Sequence, residues 1–182
     1  MAFSCGLLQT RTPDPPSQAR SNFTPATDPT IVFQNLSNAF SDLNVVNYLR
    51  CLADPTTPGG AFQFEPTANA RLQYASVFAG WSKTSEQQYF QNAKSKLASG
   101  GGMTLEMTWT QQGIASDSAQ FDVVYTLTVQ HTQPNVPTVA VGKGQMVLAV
   151  DQTRSWVIRR WVDIANNATD FTWSDLKGTF GQ

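Results

Sequence analysis

The feature that most constrains this chain is a change of apolar period near Gly100. Before it, apolar residues recur at spacings of three and four, as along one side of a helix. After it they alternate, as on one face of a strand. Met103, Leu105, Met107 and Trp109 alternate with Thr104, Glu106, Thr108 and Thr110. Phe121, Val123, Tyr125, Leu127 and Val129 alternate with Asp122, Thr126, Thr128 and Gln130. Two further strands are expected at about 138–150 and 155–165, divided by a turn at 151–154. Gly113, Asp117, Pro134 and Pro137 supply turn residues for the connections. Such a pattern makes a long antiparallel meander whose apolar face needs a cover.

The cover lies N-terminal to the strands. Asp28-Pro29 is a helix start, an Asp N-cap followed by Pro at the first helical position. Phe33, Leu36, Phe40 and Leu43 continue one stripe, and Asp42-Leu43-Asn44 breaks it. Val45, Leu49 and Leu52 make a second short helix, stopped before Asp54-Pro55. Ala61 to Phe64 reads as a short strand, and 66–82 as an irregular stretch carrying Tyr74, Phe78 and Trp81. Thr84 and Gln87 fit a capping box. Phe90, Ala93 and Leu97 mark the helix behind it, ended by Ser99-Gly100-Gly101-Gly102. Residues 1–28 stand apart, because Thr12-Pro13-Asp14-Pro15-Pro16 and Thr24-Pro25 sustain neither a helix nor a central strand. The reading is an extended Pro-rich tether over 1–28 and one α+β domain over 29–182.

Composition narrows the function classes. Charged residues are 14% of the chain, against about 25% in soluble domains generally. Asn, Gln, Ser and Thr carry the solubility instead, which points to an extracytoplasmic setting. With 12 basic and 13 acidic residues and no basic patch, no nucleic-acid partner is expected. No apolar run approaches the roughly 18 residues of a bilayer span. Two cysteines and one histidine are too few for a zinc site, so no metal is expected. The phosphate-cradling, nucleophile-elbow and zinc-protease motifs are absent, and no cofactor is expected.

Helices, a short strand, another helix and then long antiparallel strands is an order that resembles the nuclear-transport-factor-2-like family, which includes SnoaL-type cyclases and ketosteroid isomerases. Phe40-Ser41-Asp42-Leu43-Asn44-Val45-Val46-Asn47-Tyr48-Leu49 looks like that family's helix–kink–helix opening. Trp156-Val157-Ile158-Arg159-Arg160-Trp161-Val162-Asp163 is similar to its last long strand. The resemblance covers about 29–179 and implies a cone: a curved antiparallel sheet wrapped on the N-terminal helices, with a pocket between them. Family enzymes work there with an Asp or an Asp–His pair as general base and an acid or Tyr donor at the oxyanion. A second resemblance is to the start of a mature bacterial lipoprotein. It is carried by Ala2-Phe3-Ser4-Cys5-Gly6 ahead of the Pro-rich stretch, with Ala at −3 and Phe at −2 departing from the commonest pattern. It implies lipid attachment at Cys5, hence anchoring at a membrane in the periplasm or at the cell surface; with Met1 as the native start the chain would be soluble instead.

Few residues could carry chemistry in such a cone. His131, the one histidine, is in phase with Tyr125, Leu127 and Val129, so it either points inward or bonds the adjoining turn at Thr132-Gln133-Pro134. Asp163 shares a strand face with Arg159 and Trp161; it is either an ion-paired carboxylate or a general base opposed to Arg159, which would keep it ionised. Asp122 and Glu106 are out of phase with the apolar face and belong to the surface. Tyr48, Tyr74, Trp81, Trp109, Tyr125 and Trp161 either line an apolar ligand pocket or fill the cone as core. Cys51 reads as a buried thiol, and a Cys5–Cys51 disulfide is the alternative to lipidation. The expected function is a non-catalytic, membrane-tethered accessory domain. It would hold a small apolar ligand or a protein partner, with the outer sheet face as a homodimer surface. The alternatives are a SnoaL-like isomerase, cyclase or dehydratase using Asp163 or His131, and a subunit of a larger membrane-associated assembly.

Overall fold

The computed structural model describes residues 22–182, so most of the expected tether, Cys5 included, lies outside the described residues. Helix α1 (Pro29–Ser41) starts where Asp28 accepts from Thr30 N, with Pro29 in the first turn. It ends at Asp42, and Leu43 adopts a positive φ of 51° at the kink. Asn44 then caps α2 (Val45–Arg50) through a bond from Asn47 N. A short strand, β1 (Gln63–Glu65), follows.

The stretch expected to be irregular contains two short helices, α3 (Ala68–Gln73) and α4 (Ala75–Phe78). Helix α5 (Lys83–Ser95) begins two residues before the expected box, with Ser82 and Ser85 closing it reciprocally. The meander is as expected: β2 (Met103–Ile114), β3 (Ser118–Val129), β4 (Val139–Val150) and β5 (Trp156–Ile164). A last helix, α6 (Trp173–Phe180), was not read from the sequence.

The five strands form one sheet in the order β1-β5-β4-β3-β2, antiparallel except for β1 beside β5. Register fixes which side chains share a face. Trp109, Val123, Gly144 and Asp163 lie in one row across β2 to β5, facing the helices. Thr108, Val124, Lys143 and Ile164 form the adjacent row on the opposite face. Val32, Phe33, Leu36 and Phe40 of α1 bury against the inner face. Tyr89 and Phe90 of α5 join the same core, Phe90 against Phe40 and Tyr48, and Tyr89 beside Trp173. The end of the tether packs too: Trp156 N donates to Ala26 O, Asn35 exchanges two bonds with Thr24, and the Arg50 guanidinium lies 3.6 Å from the Phe23 ring centroid. The domain therefore starts several residues earlier than Pro29. Cys51 is a free, buried thiol that donates to Asn47 O at 3.3 Å.

Candidate functional site inside the cone

The interior is built by two polar clusters set in aromatic rings. The first centres on Glu86, on the buried side of α5, one turn before Tyr89 and Phe90. Its Oε2 accepts from Tyr48 Oη at 2.6 Å; its Oε1 accepts from Trp81 Nε1 at 2.7 Å and from Lys177 Nζ at 2.5 Å. Both members of the Glu86–Lys177 ion pair are fully buried. The Lys177 ammonium lies 3.6 Å from the ring centroid of Phe64 and 4.6 Å from that of Trp161, with Phe62, Trp81, Tyr89 and Trp173 within 6 Å. Loss of water lowers the Lys177 pKa, opposed by the Glu86 carboxylate.

The second cluster centres on Asp163, near the end of β5 and 3% exposed. Tyr125 Oη donates to its Oδ1 at 2.6 Å, and Ser174 donates to its Oδ2 twice, from N at 2.8 Å and from Oγ at 2.5 Å. Trp173 N in turn donates to Tyr125 Oη, and Trp173 Nε1 to Tyr89 Oη. Glycines on β4 make room for these rings, because a Cβ at Gly142 would strike Tyr125 and one at Gly144 would meet the Trp161 indole nitrogen. Burial pushes the Asp163 carboxyl above its usual range, although both hydrogen-bond partners and the Lys177 charge pull the other way. Trp161 Nε1 finds no hydrogen-bond partner among the described residues.

Several sequence expectations are resolved by these positions. Asp163 points inward, but its partners are Tyr125 and Ser174; the Arg159 side chain turns away to Gly59 O. The expected Arg159 effect on its ionisation is replaced by desolvation, which acts in the opposite direction. His131 bonds its turn: Nδ1 accepts from Gln133 N, Nε2 faces Pro137 O, and the ring packs edge-on against Phe180. Glu106 is exposed and Asp122 half-buried on the outer face. Tyr48, Tyr125 and Trp161 are buried, and with the half-buried Trp81 they meet in the interior. Tyr74 backs α6, its ring close against Gly178, and Trp109 stands apart on β2, 40% exposed and stacked on Phe33 at 4.9 Å. The six aromatics are thus not one ligand wall. Among the described residues, no group of three or more His, Cys, Asp or Glu is placed to hold a metal, and no helix is long and apolar enough to cross a membrane.

Glu86, Tyr89, Trp173, Ser174 and Lys177 were missed by sequence reasoning. Two signals could have found them. Glu86 lies one turn ahead of, and in line with, the apolar stripe of Tyr89, Phe90 and Ala93. Thr172 and Asp175 form a capping box ahead of Leu176 and Phe180, which announces α6.

No family model and no curated protein sequence matches the chain. Solved structures do. A provisionally named aromatic ring hydroxylase from Novosphingobium aromaticivorans superposes with a TM-score of 0.56 at 8% identity, over 81% of this chain and 92% of that one. A provisionally named scytalone dehydratase from the same organism gives 0.56 at 7% identity, over 78% and 87%. Hexachlorocyclohexane dehydrochlorinase LinA-type3 from Novosphingobium barchaimii gives 0.52 at 6% identity, over 76% and 84%. With the helix–kink–helix opening and the curved sheet, these likenesses show the nuclear-transport-factor-2-like cone fold. At such identities they show the fold alone.

Proposed function

We propose that this chain is a non-catalytic binding module that works through the outer face of its sheet, with a second copy of itself as the partner. The observation that carries this is the state of the interior. Tyr48, Tyr89, Tyr125, Trp161 and Trp173 are all buried there, and the oxygens of Glu86 and Asp163 are taken up by donors of the same chain. A general base must lie within reach of a substrate proton, and Asp163 is 3% exposed and already accepts three hydrogen bonds from Tyr125 and Ser174.

The outer face is open. Val124 is 49% exposed and Ile164 39%, at the centre of a shallow depression of about 320 Å³ that Thr108, Thr110, Asp122 and Lys143 also line. Asp122 and Lys143 bring opposite charges to one apolar patch, so the patch suits an isologous contact with its own copy. Sedimentation velocity over a concentration series tests this. A dimer that Val124→Arg with Ile164→Arg converts to monomer supports it; a monomer throughout the series overturns it.

A second reading is favoured by one observation. Asp163 and Tyr125 make a carboxyl–phenol pair at 2.6 Å inside a cone whose structural neighbours include enzymes. Under that reading the chain is a SnoaL-like dehydratase or isomerase whose interior opens to admit substrate. Membrane tethering through Cys5 is a proposal supported by the Ala2–Gly6 sequence alone. Intact mass of the protein taken from native membranes tests it: acyl chains on Cys5 support tethering, and an unmodified Met1 start opposes it.

A further inference from the structure

We infer that the cone interior is a receptor for a primary ammonium group, and that the chain fills it from within with Lys177. This rests on the reading of the interior as closed in the native protein. The receptor is made almost wholly by elements other than α6. Phe62 and Phe64 come from the β1 region, Tyr48 from α2, Trp81, Glu86 and Tyr89 from in and around α5, and Trp161 from β5. Five of these rings lie within 6 Å of the Lys177 nitrogen, and two of them are closer than 5 Å. Aromatic faces attract a cation most strongly where water is excluded, and here the ammonium is fully buried. The counter-charge is fixed in advance: Tyr48 and Trp81 hold one Glu86 oxygen each, so the carboxylate does not depend on Lys177 for its orientation.

A buried ion pair by itself is weak evidence for stability, because desolvation offsets its attraction. A box of rings around one member is a different arrangement, and it defines a ligand chemistry. A carboxylate at hydrogen-bond distance suits –NH₃⁺, which has donors to give it, and the surrounding rings take the remaining charge and the alkyl stem. Quaternary ammonium, which has no donor for Glu86, is disfavoured.

The test uses the full chain with Lys177→Ala, which removes three carbons and the nitrogen. The missing atoms correspond to n-propylammonium, and n-propanol is the neutral probe of matched length. Thermal unfolding is followed against each probe for the variant and for the native protein. The expected result is a melting temperature of the variant that rises with n-propylammonium by about 4 °C or more at saturation. Little rise is expected with n-propanol or tetramethylammonium, and none for the native protein with any of the three. If the variant does not fold alone, refolding yield with each probe gives the same reading: recovery with n-propylammonium only supports the receptor. Equal effects of n-propylammonium and n-propanol, or no effect of either, overturn it. A rise in the native protein with any probe instead contradicts the closed interior, so the two failures are told apart.

Discussion

Each face of the sheet carries an exception to the usual arrangement of polarity, in which the inner face is apolar core and the outer face polar. On the inner side, Asp163 of the sheet and Glu86 and Lys177 of the covering helices are each almost fully enclosed. The outer face leaves Val124, Val139 and Ile164 in solvent, among threonines. On the inner side, charge is tolerated because every charged group has a partner of the same chain and a shell of rings. On the outer side, apolar surface is tolerated in small patches or because something covers it. The contrast teaches that buried charge in this cone is not by itself a mark of chemistry, and that the face with exposed apolar side chains is the better candidate for contact.

The largest expected break of this contrast is Lys177→Met, which keeps the length of the side chain and removes its charge. Leaving the Glu86 carboxylate uncompensated should cost about 3–5 kcal/mol, read by urea unfolding. Pairing it with Glu86→Gln should recover most of that loss; if the double variant is no better than the single, the pair is not what the interior depends on. A smaller effect separates two tryptophans. Trp173 Nε1 has Tyr89 as acceptor and Trp161 Nε1 has none. Trp173→Phe should therefore destabilise by about 1–3 kcal/mol more than Trp161→Phe, again by denaturant titration.

The third prediction concerns pH. The Asp163 carboxyl is raised in the folded protein by burial. Above the ordinary carboxylate range the unfolded chain loses this proton first, so the folded state binds more protons and stability falls as pH rises. The loss runs from about pH 4 up to the raised value and then levels. Asp163→Asn should remove this slope, and unchanged pH dependence in that variant would show that Asp163 titrates normally. The smallest stability effect is expected on the outer face, where Val124→Arg should shift unfolding by within about 0.5 kcal/mol while abolishing self-association.

Much of the architecture was legible because periodicity reports burial directly. The 3.6-to-2 switch placed α1, α2, α5 and all four long strands, and Asp28-Pro29 and Asp42–Asn44 marked the start and the kink. The closing helix was not legible as core, because Lys177 sits among Trp173, Leu176 and Phe180 and blurs the apolar stripe that would have announced it. Glu86 lies ahead of Tyr89 and Phe90 in a polar run, Ser82 to Gln88, where its phase alone marks it as buried. Partners such as Glu86 and Lys177 lie 91 residues apart, and no local pattern tells either that the other exists. The phase of Asp163 with Trp161 was legible on β5, but its partner Ser174 belongs to the unread helix, so the sequence pointed to Arg159 instead.

Amide and indole hydrogen exchange tests the closed interior most directly. The Trp173 and Ser174 backbone N–H groups and the Trp173 indole N–H bond to Tyr125, Asp163 and Tyr89 inside the cone. The account predicts that all three exchange only through global unfolding, with an opening free energy equal to that from denaturant titration. Exchange orders of magnitude faster, at full global stability, would show an interior that opens on its own and would favour a substrate-admitting enzyme instead.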